Sequence, residues 1–329
     1  MSAPSPPTVE LHVHVEGTLE PELILELAAR NEVTLPYHDV DDLRARYAFT
    51  DLGSFLELYY ANMAVLRTRE DFAAMTRAYL ARAVAAGVRH VELFFDPQAH
   101  LVRGVALAEV VEGIASALHE AEGISTGLIA CFLRDRPAAE ALEVLTALLD
   151  MEAPILGIGL DSAEAGHPPS GFAEVYDLAR SRGLHLVAHA GEEGPAEYVR
   201  EALDVLRVER VDHGLRCLDD TALVDRLVAE RMPLTVCPLS NVRLRTVDTM
   251  ADHPLAAMLA RGLCVSVHSD DPAYFGGYVD ANFAAVVDAL DLDRDDLRTL
   301  ARNAVEAAFV APDRAAQLYA EIDAWHAAG

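Results

Sequence analysis

Four short stretches of this 329-residue chain concentrate side chains that bind metals and move protons. They are His12-Val13-His14, His189-Ala190-Gly191-Glu192, Asp212-His213 and Ser269-Asp270-Asp271. Each closes, or directly follows, an apolar run of strand character. Residues two apart on a strand share a face, so His12 and His14 point the same way. One buried histidine is ordinary core. Two on one face, joined by another imidazole and a carboxylate from other strand ends, are hard to explain by packing, because a packed barrel lumen prefers Val, Ile and Leu. Neutral imidazoles with one carboxylate suit zinc, and they suit iron and manganese as well. Three histidines and one aspartate leave room for a water whose pKa falls to roughly 7, a nucleophile at neutral pH. The chemistry expected is therefore hydrolysis.

The neighbouring residues supply the proton handling. Glu192 lies just beyond its strand in a Gly-containing turn, where a carboxyl beside a metal keeps its proton near neutrality and serves as acid and base. The plainer use of such a turn is a helix N-terminal charge, which Glu193 fits better. His213 is placed to polarise the attacking water, or equally to be structural. Asp270 and Asp271 are adjacent in a turn that lets both reach the site. One on the metal and the other on the substrate avoids two unpaired carboxylates repelling each other.

Eight strand-like apolar runs carry these residues: 9–15, 89–95, 126–132, 155–161, 184–190, 209–214, 233–238 and 263–269. Ala/Leu/Glu/Arg-rich stretches of helical period separate them, several stopped by Gly or Pro. Strands alternating with helices imply a parallel sheet, and eight such units in one uninterrupted chain imply a TIM-type (β/α)8 barrel. An open doubly wound sheet would want a Gly-rich phosphate turn after an early strand, and none is present. The active face of such a barrel is at the strand C-termini, where the chemistry gathers. About 70 residues (16–88) join strands 1 and 2, against roughly 30 for a normal crossover unit. They read as a helical lid insertion over the barrel mouth, and residues 283–326 as C-terminal helices. A helix packed on the barrel side suits Leu56, Tyr59, Tyr60 and Met63 equally well. The whole of 1–329 is expected to be a single domain, with residues 1–8 as a flexible leader.

The bulk composition bounds the partners. With 26 basic against 53 acidic residues the net charge is −27, which repels nucleic acid and anionic membranes. No apolar run approaches the roughly 20 residues of a spanning helix. The N-terminus lacks the pattern of a secretory signal, so a cytoplasmic protein is expected. The four cysteines, Cys131, Cys217, Cys237 and Cys264, include no C-x-x-C pair and read as buried free thiols of a reducing compartment. A homodimer is compatible with exposed barrel helices.

The motifs ELHVHVEGTLEPELILELAARN, LDSAEAGHPP, VAHAGEEGP, VDHGLRC, TVCPLSN and SDDPAYFGG together resemble the adenosine/adenine deaminase family of metal-dependent hydrolases. The likeness runs from about residue 9 to residue 310, with the motifs in order. EGTLEPEL, DLGSFLELYY, HVELFFDPQ and GLDSAEAGHPP bring it nearer the branch that acts on the free base. The resemblance implies one zinc per chain on His12, His14, His189 and Asp270. It implies Glu192 as proton shuttle, His213 assisting the water, and Asp271 accepting a hydrogen bond from a purine ring nitrogen. Hydrolytic attack at C6 would release ammonia and convert adenine to hypoxanthine, a purine-salvage reaction. Gly191 is expected at the substrate. Glu164, with Glu16, is expected to fill the space of a ribose or to bond the N3/N9 edge, while Phe55 and Leu56 cap the ring. One departure is His268, where the family often has Asn. On strand 8 it shares the parity of Asp270, as a supporting partner or a further ligand.

Three other functions fit less well. A 6-aminopurine nucleoside deaminase would share every catalytic residue and differ in its pocket walls. A two-metal barrel hydrolase would want a bridging lysine on strand 4, which ILGIGLD lacks. A catalytically inactive metal-binding barrel with a binding role would have no use for Glu192 and His213. Metal analysis with ammonia release separates that last case.

Overall fold

The computed structural model describes residues 5–329. Eight parallel strands stand in sequence order, each paired with the next: β1 (Thr8–Glu10), β2 (Val88–Phe95), β3 (Ser125–Leu133), β4 (Gly157–Asp161), β5 (His185–Ala190), β6 (Arg210–His213), β7 (Pro233–Val236) and β8 (Cys264–Val267). The seam between β8 and β1 closes through backbone bonds, His14 N–H to the Asp270 carbonyl at 3.1 Å and Asp270 N–H to the His12 carbonyl at 3.0 Å. The result is a TIM-type (β/α)8 barrel. All eight expected strands are present within a few residues. The first is the most altered, regular only to Glu10 and rejoining the sheet by single bridges at Val13 and His14. The cause is local: the Leu11 N–H donates to His268 Nδ1 at 3.1 Å instead of to a carbonyl. Of the expected leader, residues 1–4 lie outside the described residues. Pro6 is buried and Thr8 already opens β1, so these residues belong to the barrel.

The segment between β1 and β2 contains α1 (Pro21–Arg30), α2 (Val40–Ala45), α3 (Leu52–Asn62) and α4 (Arg69–Ala85). Only α3 turns residues toward the barrel mouth. Its start is fixed by a capping box in which the Asp51 carboxylate accepts from the Ser54 N–H at 2.7 Å, a device worth about 1 kcal/mol. By contrast α4 packs on the barrel flank against a later helix (Leu107–His119). A Cβ at Gly113 of that helix would come within 2.6 Å of the Arg69 carbonyl, so glycine is what allows the close crossing. The insertion thus covers the cavity with α3 and is an ordinary barrel helix in α4.

The remaining helices are α5 (Pro97–Leu101), α6 (Leu107–His119), α7 (Ala138–Asp150), α8 (Ala173–Ser181), α9 (Ala196–Glu201), α10 (Thr221–Glu230), α11 (Pro238–Arg243), α12 (Leu255–Ala260), α13 (Pro272–Phe275), α14 (Val279–Leu290), α15 (Arg294–Ala307) and α16 (Pro312–Ala327). The turn after α15 plugs the lower end of the barrel. There the Phe309 N–H donates to Glu92 Oε1 at 2.5 Å, while Arg210 pairs with Glu92 Oε2 at 2.6 Å and lies over the Phe309 ring. Glu92 and Arg210 are fully buried. Burial alone would raise the Glu92 pKa, but the Arg210 charge and the His90 hydrogen bond hold it below the ordinary value.

Candidate active site

Strand register lines up the supports of the site before any ligand is considered. His189 of β5 sits beside Asp212 of β6, Asp212 beside Thr235 of β7, and Thr235 beside Ser266 of β8. These inward side chains form a polar row where hydrophobic residues would normally fill a barrel. Thr235 Oγ1 donates to Asp212 Oδ1 at 2.7 Å, so its free lone pair faces His12 Nδ1 at 2.9 Å. That arrangement puts the ring proton of His12 on Nδ1 and leaves Nε2 bare. Behind His14, the Asp161 carboxylate stands 3.5 Å from Nδ1, and behind His189, Asp212 stands 3.7 Å from Nδ1. Carboxylates in this position orient histidines that ligate metals.

The three bare nitrogens converge. His14 Nε2 and His189 Nε2 are 3.2 Å apart, and Asp270 Oδ1 lies 3.5 Å from His12 Nε2 and 3.6 Å from His14 Nε2. One donor atom from each of His12, His14, His189 and Asp270 falls within 4.8 Å of all the others. His12 Nε2 is buried with no hydrogen-bond partner. Burial lowers the His14 pKa to about 4 and takes that of His189 well below its ordinary value, which favours the neutral, ligating form of both imidazoles. Lone pairs facing one another across about 3 Å repel unless a cation lies between them, so the donor set fits a divalent metal. The chain contains no lysine, which excludes a lysine-bridged metal pair.

Around this centre lies a cavity of about 380 Å³, lined by His14, His189, Glu192, His213, Asp270 and Asp271 on the barrel side and by Phe55, Leu56, Tyr59 and Tyr60 of α3 on the other. Glu192 Oε2 is 3.5 Å from His213 Nε2, which is 3.9 Å from Asp270 Oδ2. Burial, then the charges of Asp270 and Glu164, push the Glu192 carboxyl well above its ordinary range. Burial takes His213 down to about 3. Both shifts favour the uncharged forms, a carboxyl drawn toward its acid form beside an imidazole drawn toward its neutral form. Asp271 is likewise pushed well up, by burial and then by Asp270. A Cβ at Gly17 would stand 1.9 Å from Asp271 Oδ1, so glycine there makes room for the carboxyl. Backbone strain collects at the same place: Ser162, His213 and Asp270 have φ of 71°, 66° and 64° at the ends of β4, β6 and β8. Such conformations cost about 1–3 kcal/mol each and cluster at functional sites.

The structure brings His14, His189, Asp270, Glu192, His213, Asp271, Phe55 and Leu56 to one cavity, and His12 to the donor cluster at its floor with His14, His189 and Asp270. It does not bring Glu16, Glu164 or Gly191 to the cavity wall. The Glu16 carboxylate turns away, accepting from Asp96 N–H at 3.1 Å and pairing with His100 Nε2 at 2.7 Å. Glu164 sits behind the β5 turn and accepts four backbone amides: Gly191 at 2.6 Å, Glu192 at 3.0 Å, Glu193 at 2.9 Å and Gly194 at 2.7 Å. The idea of a ribose-blocking wall built from these two acids is thereby corrected; Glu164 fixes the loop that bears Glu192. The Gly191 N–H is spent on that same carboxylate. His268 is no ligand, since Nδ1 accepts from Leu11 N–H and Nε2 faces Ser266 Oγ at 2.7 Å. The residues overlooked are Asp96, Asp161 and Thr235, and Asp212, named with His213, was given no role. The available signal was an acid or hydroxyl at the C-terminal end of a barrel strand.

A (β/α)8 barrel with three histidines and an aspartate at its C-terminal mouth defines a metal-dependent hydrolase. The adenosine deaminase family model matches residues 7–325. The chain is 61% identical over 324 residues to an adenine deaminase of Streptomyces coelicolor, covering 97% of this chain and 95% of that one. It is 57% identical over 320 residues to an adenine deaminase of Cupriavidus taiwanensis, covering 96% and 91%. Among solved structures, the adenine deaminase of Arthrobacter aurescens superposes with a TM-score of 0.97 at 61% identity, over 98% of this chain and 99% of the other. An amidohydrolase of Burkholderia ambifaria with bound zinc gives 0.88 at 28% identity, over 98% and 93%. The chain belongs to the adenosine deaminase family.

Proposed function

We propose that this protein hydrolyses adenine to hypoxanthine and ammonia. The observation that carries the reading is a buried carboxyl, Glu192, facing the cavity 3.5 Å from His213 beside a four-donor metal site, in a chain 61% identical to adenine deaminases across nearly its whole length. His12, His14, His189 and Asp270 would hold one metal, and zinc is proposed because the donors are imidazole and carboxylate and a relative at 28% identity holds zinc. When bound, the metal supplies Lewis-acid activation of water, making a nucleophile available at neutral pH.

The protein's own residues supply the rest. The plane of the purine lies against Phe55 and Leu56 of α3, with C6 toward the metal donors. His213 and Asp270 bracket the incoming water oxygen and orient it at C6. Glu192 carries both protons of the water in turn. It delivers the first to N1 as the C6–O bond forms, which prevents negative charge from building on the ring. It then takes the second from the C6 hydroxyl and passes it to the amino nitrogen. The C6–N bond breaks, ammonia departs, and hypoxanthine remains with its proton on N1. Asp271 meets N7. N7 of the N9–H base carries no hydrogen, so the carboxyl there must donate rather than accept as expected from the sequence, and burial, then Asp270, push Asp271 in that direction.

The net charge of −27 supports a free purine rather than a polymer as substrate. Four free, buried cysteines support a reducing, cytoplasmic setting. Among the described residues no helix is long and apolar enough to cross a membrane. The test is a paired ultraviolet assay of adenine and adenosine, with metal-loaded and chelated protein. Chelator-sensitive turnover of adenine alone is expected. Turnover of adenosine instead would keep the chemistry and remove the substrate assignment.

A further inference from the structure

Two carboxyl groups in the cavity wall take no part in the steps above. Asp96, just past β2, and Asp161, at the end of β4, are 2% and 3% exposed and both line the cavity. One atom of each lies with one of His14 inside a 4.8 Å cluster. Each spends one oxygen on the protein: Asp96 Oδ2 accepts from the Tyr59 hydroxyl at 3.5 Å, and Asp161 Oδ2 faces His14 Nδ1 at 3.5 Å. The other oxygens, Asp96 Oδ1 and Asp161 Oδ1, are fully buried with no hydrogen-bond partner beyond the mutual contact of the two carboxyls. Buried acceptors left without donors are costly, and in a ligand cavity the missing donor is one that the ligand brings. Beside them Ser162 is held in the left-handed region, with its hydroxyl accepting from Tyr60 of the lid at 3.0 Å.

The purine has a limited supply of donors to offer. Its C6/N1 side faces the metal donors and Glu192, and N7 faces Asp271. The N3/N9 edge is left for the remaining polar wall, which is Asp96, Asp161 and Ser162. A free base carries a hydrogen on N9, and a nucleoside carries a sugar there instead. We infer that Asp96 and Asp161 accept the N9–H of the free base and thereby select base over nucleoside. This inference rests on the adenine reading above. It assigns to two strand-end aspartates the discrimination that Glu16 and Glu164, turned away from the cavity, do not perform. The Tyr60–Ser162 hydrogen bond at 3.0 Å ties α3 to the barrel beside these two carboxyls.

The experiment compares adenine with 9-methyladenine, which lacks the N9–H but adds only a methyl group, on the metal-loaded wild type and on Asp96→Ala. In the wild type, kcat/KM for 9-methyladenine should be lower by at least about 10²-fold, because a site built to bond an N–H rejects the analogue without it. In Asp96→Ala, adenine should lose at least about 10-fold while the ratio between the two substrates falls to a few-fold. A merely structural role for Asp96 would depress both substrates alike and leave the ratio at its wild-type value, which would overturn the inference. Asp96→Asn replaces the alanine variant if that one does not fold, and is judged by the same ratio. Wild-type turnover of 9-methyladenine as fast as adenine overturns the inference and leaves the adenine reading standing, whereas no turnover of adenine at all removes that reading first. Two metals per chain, reduced to one by Asp96→Ala, would assign the pair to a second cation instead.

Discussion

Replacing Glu164 should damage the active-site loop without widening the substrate range. Its Oε2 accepts the amides of Glu192, Glu193 and Gly194, and its Oε1 accepts that of Gly191. In Glu164→Gln, an amide NH2 placed at Oε1 would face the Gly191 N–H donor to donor, and the three bonds to the other oxygen would lose their charge. Hydrogen bonds to charged groups contribute about 1.5–3 kcal/mol, roughly twice the neutral value. One bond lost and three weakened, with partial relaxation of the loop, gives about 3 kcal/mol. Glu164→Gly removes all four and opens Gly194, whose Cβ position lies 2.6 Å from the Glu164 carboxyl carbon, for about 5 kcal/mol in total. The assay is urea unfolding of both variants, with adenine and adenosine turnover measured on the folded, metal-loaded fraction. Because Glu192 is carried by the same turn, kcat for adenine should fall about 10²-fold even where the protein is fully folded, as misplacement by about 1 Å suffices for that. Adenosine should remain inert. A Glu164→Gly protein that keeps wild-type stability and turns over adenosine would refute the reasoning and restore the steric wall.

Three further outcomes follow from other parts of the molecule. Glu92→Gln breaks the buried pair with Arg210 and should cost about 3–5 kcal/mol. In the wild type the Glu92 pKa is depressed, so this stabilisation is full above the ordinary value of 4.5 and is lost as pH falls through the lower folded-state value; melting temperature against pH should show an acid-side decline that the variant lacks. Thr235→Val removes the hydroxyl between His12 and Asp212, and metal titration should show affinity weakened about 10–100-fold with the fold intact, whereas unchanged affinity would mean that the tautomer of His12 is set elsewhere. Asp270→Asn should abolish stoichiometric metal by elemental analysis, and chelation should lower the wild-type melting temperature far more than the variant's, since a ligand bound only to the native state stabilises it.

The chemistry of this protein was largely legible before any coordinates. H-x-H on a strand, a third histidine three residues before a glutamate, and S-D-D after the last apolar run are local patterns. The alternation of strand and helix periods told which ends of the strands share one face of the barrel. What local pattern could not supply was direction. Glu16 and Glu164 stand in motifs beside the site, and a loop carboxylate there turns inward or backward with equal ease. Backbone amides of the β5 turn, left without partners by its geometry, drew Glu164 behind the wall, while His100 drew Glu16 the other way. Asp96 and Asp161 were passed over for the converse reason. In FFDPQ and GLDSAE each is a single acid, and only register between β2, β3 and β4 sets their unpartnered oxygens against one cavity.

By itself, then, the sequence determined the barrel, the mouth that bears the chemistry, and the residue types that ligate and shuttle protons, because hydrophobic period and strand parity are properties of the chain nearest to each residue. Tertiary structure decided which carboxylates face the substrate and which serve the backbone. That choice depends on where unpaired amides and imidazoles from distant strands come to rest, and a buried acceptor must find one of them.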